Sequence, residues 1–305
     1  MIRSGKIIAG RYRTCQSIGQ GGMGIVFRAV DERSGLRVAI KFLRPDKSGK
    51  SAASRFRREA MLIAAVEHRN ICKVIDVGIH DENTPFIVMP LLQGIKLSSY
   101  LKRKTISYEK GCDIGLQLLG GLSAAHARNI VHRDLKPSNI FLVFEAEHPS
   151  PVVKIMDFGV SKMLGETSRI TDTGVIVGTI QYMAPEQAAA SKDIDCRVDI
   201  YAAGLILYEL FTGYPPFEGI PDHRLPLPIK PIQSRSSSIP DAPASVIMKA
   251  LERDPAKRYP DGKAMLEAFE SAVSRSLSDK NTDESAPEKQ TSMRIPRPRI
   301  RRNVS

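Results

Sequence analysis

Between Tyr12 and Leu43 short apolar runs, Ile25 to Phe27 and Val38 to Phe42, are separated by a glycine-rich stretch and by Asp31-Glu32-Arg33-Ser34-Gly35. Runs of this length broken by such turns predict a meander of antiparallel hairpins. From Ser54 to Val66 the spacing becomes helical: Phe56, Ala60, Ile63 and Ala64 share one face, and Arg55, Arg57, Arg58 and Glu59 fall mostly elsewhere. Cys72 to Ile79 and Pro85 to Leu92 return to strand character. Beyond Gly94 helices take over. Ile114, Leu118, Leu122 and Ala125 recur at helical intervals, and Ile200 to Phe211 is apolar nearly all round, which demands burial on every side. The pattern predicts an α+β chain of two lobes: a small antiparallel β lobe with one main helix over 12–93 and a larger helical lobe over 94–270. A cleft is expected near Gln93 and Gly94.

After about Glu270 the chain turns to Ser, Asp, Glu, Lys, Pro and Arg, leaving few large apolar groups to offset the entropy of ordering. Residues 276–305 are therefore expected to form a disordered basic tail. With 305 residues and 42% hydrophobic content, the rest is no fibrous or disordered chain. Lysine and arginine total 45 against 33 acids, a net charge of +12 that suits nucleic acid, a membrane surface or an anionic substrate and does not choose among them. Part of the excess is local, in Arg294, Arg297, Arg299, Arg301 and Arg302. The four cysteines form no C-x-x-C pair, so neither a zinc site nor a disulfide framework is expected, and a reducing cytoplasm fits. No uncharged apolar run approaches the ~20 residues that cross a bilayer, and Met1 to Gly10 is too brief for a secretion signal. A soluble chain without a transmembrane segment is expected.

Gly19-Gln20-Gly21-Gly22-Met23-Gly24 is a G-x-G-x-x-G run, where missing Cβ atoms let backbone N–H groups close over phosphates. A dinucleotide fingerprint needs a helix after the glycines, whereas strand resumes here at Ile25, so the glycines belong to a hairpin. Lys41, in Val38-Ala39-Ile40-Lys41, is either a solvated strand lysine or a cation under that hairpin that meets phosphates. Glu59 is either a surface ion-pair partner or the group that holds Lys41.

His132-Arg133-Asp134-Leu135-Lys136-Pro137-Ser138-Asn139, followed by Asp157-Phe158-Gly159 and by Gly178-Thr179-Ile180-Gln181-Tyr182-Met183-Ala184-Pro185-Glu186-Gln187, resembles the protein kinase superfamily. In detail it is similar to the bacterial Hanks-type serine/threonine kinases. The resemblance spans about Tyr12 to Phe269 and implies a bilobal kinase fold that moves the γ-phosphate of ATP onto serine or threonine hydroxyls of proteins in signal transduction.

The resemblance also implies roles. Asp134 would orient the acceptor hydroxyl and take its proton, and Lys136 would reach the γ-phosphate. Asn139 and Asp157 would hold Mg²⁺, with Mn²⁺ as an alternative. Lys41 would hold the α- and β-phosphates and pair with Glu59. Ile18, Val26, Ala39 and Leu142 would enclose adenine, Met89 would stand as gatekeeper, and the backbone of Pro90 to Leu92 would bond the base. Proline occupies residue 90 where the family often has an acid, which leaves the carbonyl acceptor and the Leu92 N–H in place. Glu186 with Arg258, and Asp199 at the start of the buried helix, would be architectural, as would His126 and His132.

Thr171 and Thr173 are the expected activating phosphorylation sites, modified by another copy through transient self-association. The reason is Arg133, whose charge beside Asp134 is incomplete until a phosphate arrives. Thr179 is expected to bond Asp134 and Lys136. Other partners would be proteins bearing serine or threonine; no recognition motif for specific nucleic acid accompanies the basic tail. Phe144 to Pro151 should form a longer hairpin, and the proline-rich stretch from Phe217 to Ala244 should reduce or remove a docking helix. A pseudokinase scaffold would lack the lysine, the base or a metal ligand, and none is lost. A small-molecule phosphotransferase would not be expected to carry Lys136-Pro137 or the Thr179 to Glu186 segment.

Overall fold

The computed structural model describes residues 2–21, 24–43, 56, 60–81, 84–102, 106–145, 150–158, 181–191, 193–217, 229–236 and 238–283. Its N-terminal part is a six-stranded antiparallel sheet. The strands are β1 (Ile7–Ile8), β2 (Tyr12–Gly21), β3 (Gly24–Asp31), β4 (Arg37–Leu43), β5 (Asp76–His80) and β6 (Thr84–Pro90), in the order β1-β2-β3-β4-β6-β5. Strand alternation sorts β4 onto two faces. Val38, Ile40 and Phe42 join Ile8, Tyr12, Phe27 and Phe86 on the outer face. Ala39 and Leu43 turn inward to Phe56, Ala60, Ile87 and Met89, and the same parity sends Lys41 inward. The glycine run is the β2–β3 hairpin, as expected. Gly24, at φ 149°, is required there, because a Cβ would collide with the Phe42 carbonyl oxygen.

Phe56 and residues 60–64 are helical, and Glu59 lies outside the described residues. The strand expected over Cys72 to Ile79 is shorter. Its first residues leave the sheet because Ile71 bridges to Ile155 and the Cys72 N–H donates to the Ile155 carbonyl at 2.9 Å, a seam to the second lobe.

The second lobe opens with β7 (Gly94–Lys96), which joins β8 (Ile140–Val143) and β9 (Val152–Ile155) in a three-stranded sheet. The helices are α1 (Leu97–Leu101), α2 (Tyr108–His126), α3 (Pro185–Ala188), α4 (Arg197–Thr212), α5 (Asp241–Ala250) and α6 (Gly262–Asp283). As its pattern demands, α4 is buried from Val198 to Tyr208 and ends on Gly213 at φ 74°. Each fully buried Ile or Leu on it contributes roughly 1.5–3 kcal/mol. The connection between β8 and β9 is the expected hairpin, with 146–149 outside the described residues. Residues 218–228 are likewise outside, and Ile232–Ser234 forms a 3-10 turn.

The folded region reaches beyond 12–270 at both ends. Before Tyr12, Ile8 is fully buried on the outer face of the sheet, and the Lys6 N–H donates to Thr14 Oγ1 at 3.0 Å. At the other end α6 runs through 276, where the disordered tail was expected to begin. Ser276 is buried and hydrogen-bonds the Tyr108 hydroxyl at 2.7 Å. Its polar composition misleads because α2 covers one face of this helix.

Candidate active site

His132 to Asn139 connects α2 to β8, and buried side chains hold its backbone. Asp199, at the start of α4 and 1% exposed, accepts the N–H of His132 at 2.7 Å through Oδ2 and that of Arg133 at 2.9 Å through Oδ1. Arg133 sits at φ 64°, left-handed backbone that a non-glycine residue occupies only at a cost of order 1–3 kcal/mol. A buried carboxylate accepting both N–H groups offsets that cost. His126 completes the clamp: its Nδ1 accepts the Gly262 N–H at 3.0 Å, so Nε2 carries the proton and donates to Asp199 at 3.0 Å.

On this loop the Asp134 carboxylate is gripped at both oxygens. Lys136 Nζ donates to Oδ1 at 2.9 Å, and Asn139 Nδ2 donates to Oδ2 at 3.0 Å and to the Asp134 carbonyl at 2.8 Å. Turning the Asn139 nitrogen toward Asp134 turns its amide oxygen the other way. Asp157 is brought alongside through the residue before it. The Met156 N–H donates to the Asn139 carbonyl at 2.8 Å, and the Met156 carbonyl accepts from His132 Nε2 at 2.7 Å. Asp157 is itself left-handed, at φ 59°. Phe158 anchors it from the far side, buried against the His132 ring at 4.7 Å between centroids.

From the other lobe, Lys41 Nζ meets Asp157 Oδ2 at 2.7 Å, an ion pair with the lysine side chain only 9% exposed. Glu59, the partner expected from the resemblance, lies outside the described residues. Among the described residues the partner is Asp157, and Lys41 is a held cation and no solvated strand lysine. Behind the pair a cavity is lined by Ile63, Val74, Met89, Asp157 and Phe158. Cys72 also lines it, and burial pushes its thiol up to about 12, which keeps it protonated and unreactive.

Of the expected adenine enclosure, Ala39 and Leu142 are buried, Val26 and Pro90 to Leu92 are half-buried, and Ile18 is exposed at the hairpin. Gly19, Gln20, Gly21 and Gly24 are described; Gly22, Met23, Thr171, Thr173 and Thr179 lie outside the described residues. The segment after them is tied down at several points. Arg258, buried, reaches both Glu186 oxygens at 2.7 and 2.9 Å. The Tyr182 hydroxyl donates to Glu209, whose carboxyl burial pushes above the usual range. The Gln187 Nε2 donates to the Arg133 carbonyl at 2.9 Å. Sequence reasoning had no role for Gln187 or Glu209, because a glutamine three residues into a short helix reads as a cap and a glutamate at a helix end as solvated.

Among the described residues, no group of three or more His, Cys, Asp or Glu side chains could cage a metal ion, and no helix is long and apolar enough to cross a membrane. The donor set of Asp157 and the Asn139 amide oxygen suits a hard cation that shares its coordination sphere with phosphate oxygens and water.

Comparison with known proteins bears on this arrangement. Serine/threonine-protein kinase PknA of Mycobacterium tuberculosis is 39% identical over 270 residues, which cover 85% of this chain and 61% of that protein. The protein named Probable serine/threonine-protein kinase PknB of Lactococcus lactis is 38% identical over 276 residues, 87% of this chain and 42% of its own length. A Clostridium perfringens relative, also named as a serine/threonine-protein kinase, is 36% identical and is spanned over 38% of its length. The chain thus spans between 38% and 61% of the length of these three relatives. The crystal structure of the M. tuberculosis PknI kinase domain superposes with a TM-score of 0.72 at 26% identity, covering 90% of this chain and all of that one. The family model described as the protein kinase domain matches residues 12–269, and with the clamped Asp134 loop beside the Lys41–Asp157 pair the chain belongs to the protein kinase family.

Proposed function

We propose that this chain transfers the γ-phosphate of ATP to serine and threonine hydroxyls of proteins. The observation that carries the reading is Asp134, its two oxygens engaged by Lys136 and Asn139, on the loop that also binds the peptide preceding Asp157. In the reaction Asp134 accepts the proton of the acceptor hydroxyl as its oxygen bonds to the γ-phosphorus and the bond to the departing ADP oxygen breaks. Lys136, already beside Asp134, neutralises charge on the transferred group. Lys41 exchanges Asp157 for the α- and β-phosphates, and its pairing with Glu59 would hold it there. The glycine hairpin covers the phosphates with backbone N–H groups, and adenine lies between Val26, Ala39 and Leu142 with its edge on the backbone of Pro90 to Leu92 below Met89.

Family membership implies use of ATP and a divalent metal. We assign Mg²⁺, with Mn²⁺ as an alternative, to Asp157 and the Asn139 amide oxygen, where it would neutralise phosphate charge. Thr171 and Thr173 are proposed to be phosphorylated by a second copy in a transient encounter, with Arg133 as the group that receives the phosphate. The free cysteines suit a reducing compartment, and we place the chain in the cytoplasm with ATP and its protein substrates.

The test is phosphorylation of a generic basic protein by the purified chain and by Asp134→Asn, with mass spectrometry of both preparations. Turnover should vanish in the variant, and phosphate should sit on Thr171 or Thr173 only in the active protein. Equal turnover in the variant would remove the assignment of Asp134, and full activity in a Thr171→Ala/Thr173→Ala double variant would remove that of the two threonines.

A further inference from the structure

The main chain of Arg133 is held on both sides of its left-handed φ of 64° by side chains from different parts of the lobe. Its N–H is taken by Asp199 of α4 at 2.9 Å. Its carbonyl is taken by Gln187 of α3, whose Nε2 donates at 2.9 Å while its Oε1 accepts the Ala184 N–H at 3.2 Å. The first arm comes from the rigid core. The second comes from the segment that follows the proposed phosphorylation sites, and that segment is itself anchored by Glu186 on Arg258 and by Tyr182 on Glu209. The Arg133 carbonyl belongs to the peptide that carries the Asp134 N–H, so whatever orients it orients the backbone of Asp134.

From this geometry we infer that Gln187 is a positioning residue for phosphoryl transfer. Through its donor arm it aligns Asp134, and so couples correct seating of the 181–188 segment to the geometry of the catalytic loop. Asp199 holds only the N–H side of Arg133. On the Asp134 side the N–H of that peptide reaches His132 Nδ1 only at 3.3 Å, and Gln187 holds its carbonyl at the shorter distance of 2.9 Å. A glutamine suits the task because its amide donates to one backbone group and accepts from another at once; glutamate of the same shape keeps only the acceptor. The inference rests on Asp134 being the group that orients the acceptor hydroxyl.

The experiment compares wild type, Gln187→Glu, Gln187→Met and Asp134→Asn, each brought to the same phosphate content as verified by mass. Steady-state kinetics are measured on a generic basic protein at varied ATP and varied protein substrate. Gln187 is half-buried, so both of its variants should melt close to wild type. Loss of the donor arm should lower kcat about tenfold in both Gln187 variants, with KM for ATP and for protein within about twofold. Wild-type kcat in Gln187→Glu would overturn the inference, because only the bond to Ala184 would then matter. A raised KM for the protein substrate with unchanged kcat would also overturn it, by placing the residue in substrate docking. Turnover by Asp134→Asn would remove the site reading itself, and this inference with it, which is distinguishable from an inactive Asp134→Asn beside a fully active Gln187→Glu.

Discussion

Replacing Asp199 by asparagine isolates the clamp on the loop that carries Asp134. The carboxylate accepts from the N–H groups of His132 and Arg133 and from His126 Nε2, and it is essentially inaccessible to solvent. An asparagine keeps one acceptor and puts an N–H where the other oxygen stood, so at least one buried donor faces another donor. Hydrogen bonds to a charged partner contribute roughly 1.5–3 kcal/mol each, and a buried donor left without its acceptor costs about 1–3 kcal/mol more. With Tm falling about 2–4 °C per kcal/mol in a domain of this size, a drop on the order of 10 °C is expected. Activity should suffer more. Without the clamp Arg133 can leave φ 64°, and a displacement of Asp134 by about 1 Å costs on the order of a hundredfold in rate. Steady-state phosphorylation of a basic protein at saturating ATP should show that loss. ATP affinity measured by calorimetry should change by no more than about threefold, since Lys41, Ala39 and the glycine hairpin lie on the other lobe. A variant whose kcat stays within about threefold of wild type would refute the claim that Asp199 sets the geometry of Asp134.

Lys41→Met and Asp157→Asn should each lower turnover by orders of magnitude while leaving far-UV circular dichroism unchanged, because both act on charge at the cleft; near-normal turnover in either would contradict the assignments. Truncation before Ser276 should lower unfolding free energy by about 1–3 kcal/mol relative to truncation after Asp283, through lost packing and hydrogen bonding to Tyr108, and equal melting points would show that the end of α6 contributes nothing. Asp31 bonds Arg11 at 2.8 and 2.7 Å, and that guanidinium holds its carboxyl well below the usual range. A depressed folded-state pKa adds stability above the unfolded value of about 3.9 that is lost as pH falls through the folded value, so the Tm deficit of Asp31→Asn should be full at pH 7 and should shrink as pH drops below about 4. A deficit that does not vary with pH would mean the ion pair is not its source.

What could be read in the sequence is what local periodicity and chemistry dictate. Alternation along Val38 to Phe42 determined that Lys41 shares a face with Ala39, since a strand turns successive side chains to opposite sides whatever its surroundings. All-round apolarity determined that Ile200 to Phe211 would lie inside the larger lobe. The spacing of Asp134, Lys136 and Asn139 brought those three groups together, because they lie within six residues of one loop.

Tertiary structure decided which distant groups meet. Lys41 bonds Asp157, Gln187 bonds the Arg133 carbonyl, Asp199 closes on the Asp134 loop and His126 bonds Asp199; each contact joins residues dozens of positions apart and depends on packing angles that no local pattern encodes. The same cause set the limits of the fold. The polar composition after Glu270 predicts a disordered tail from 276, yet Ser276 meets Tyr108, and Ile8, ahead of the expected start at Tyr12, covers the sheet, because burial is conferred by whatever element lies opposite and is not a property of the segment alone.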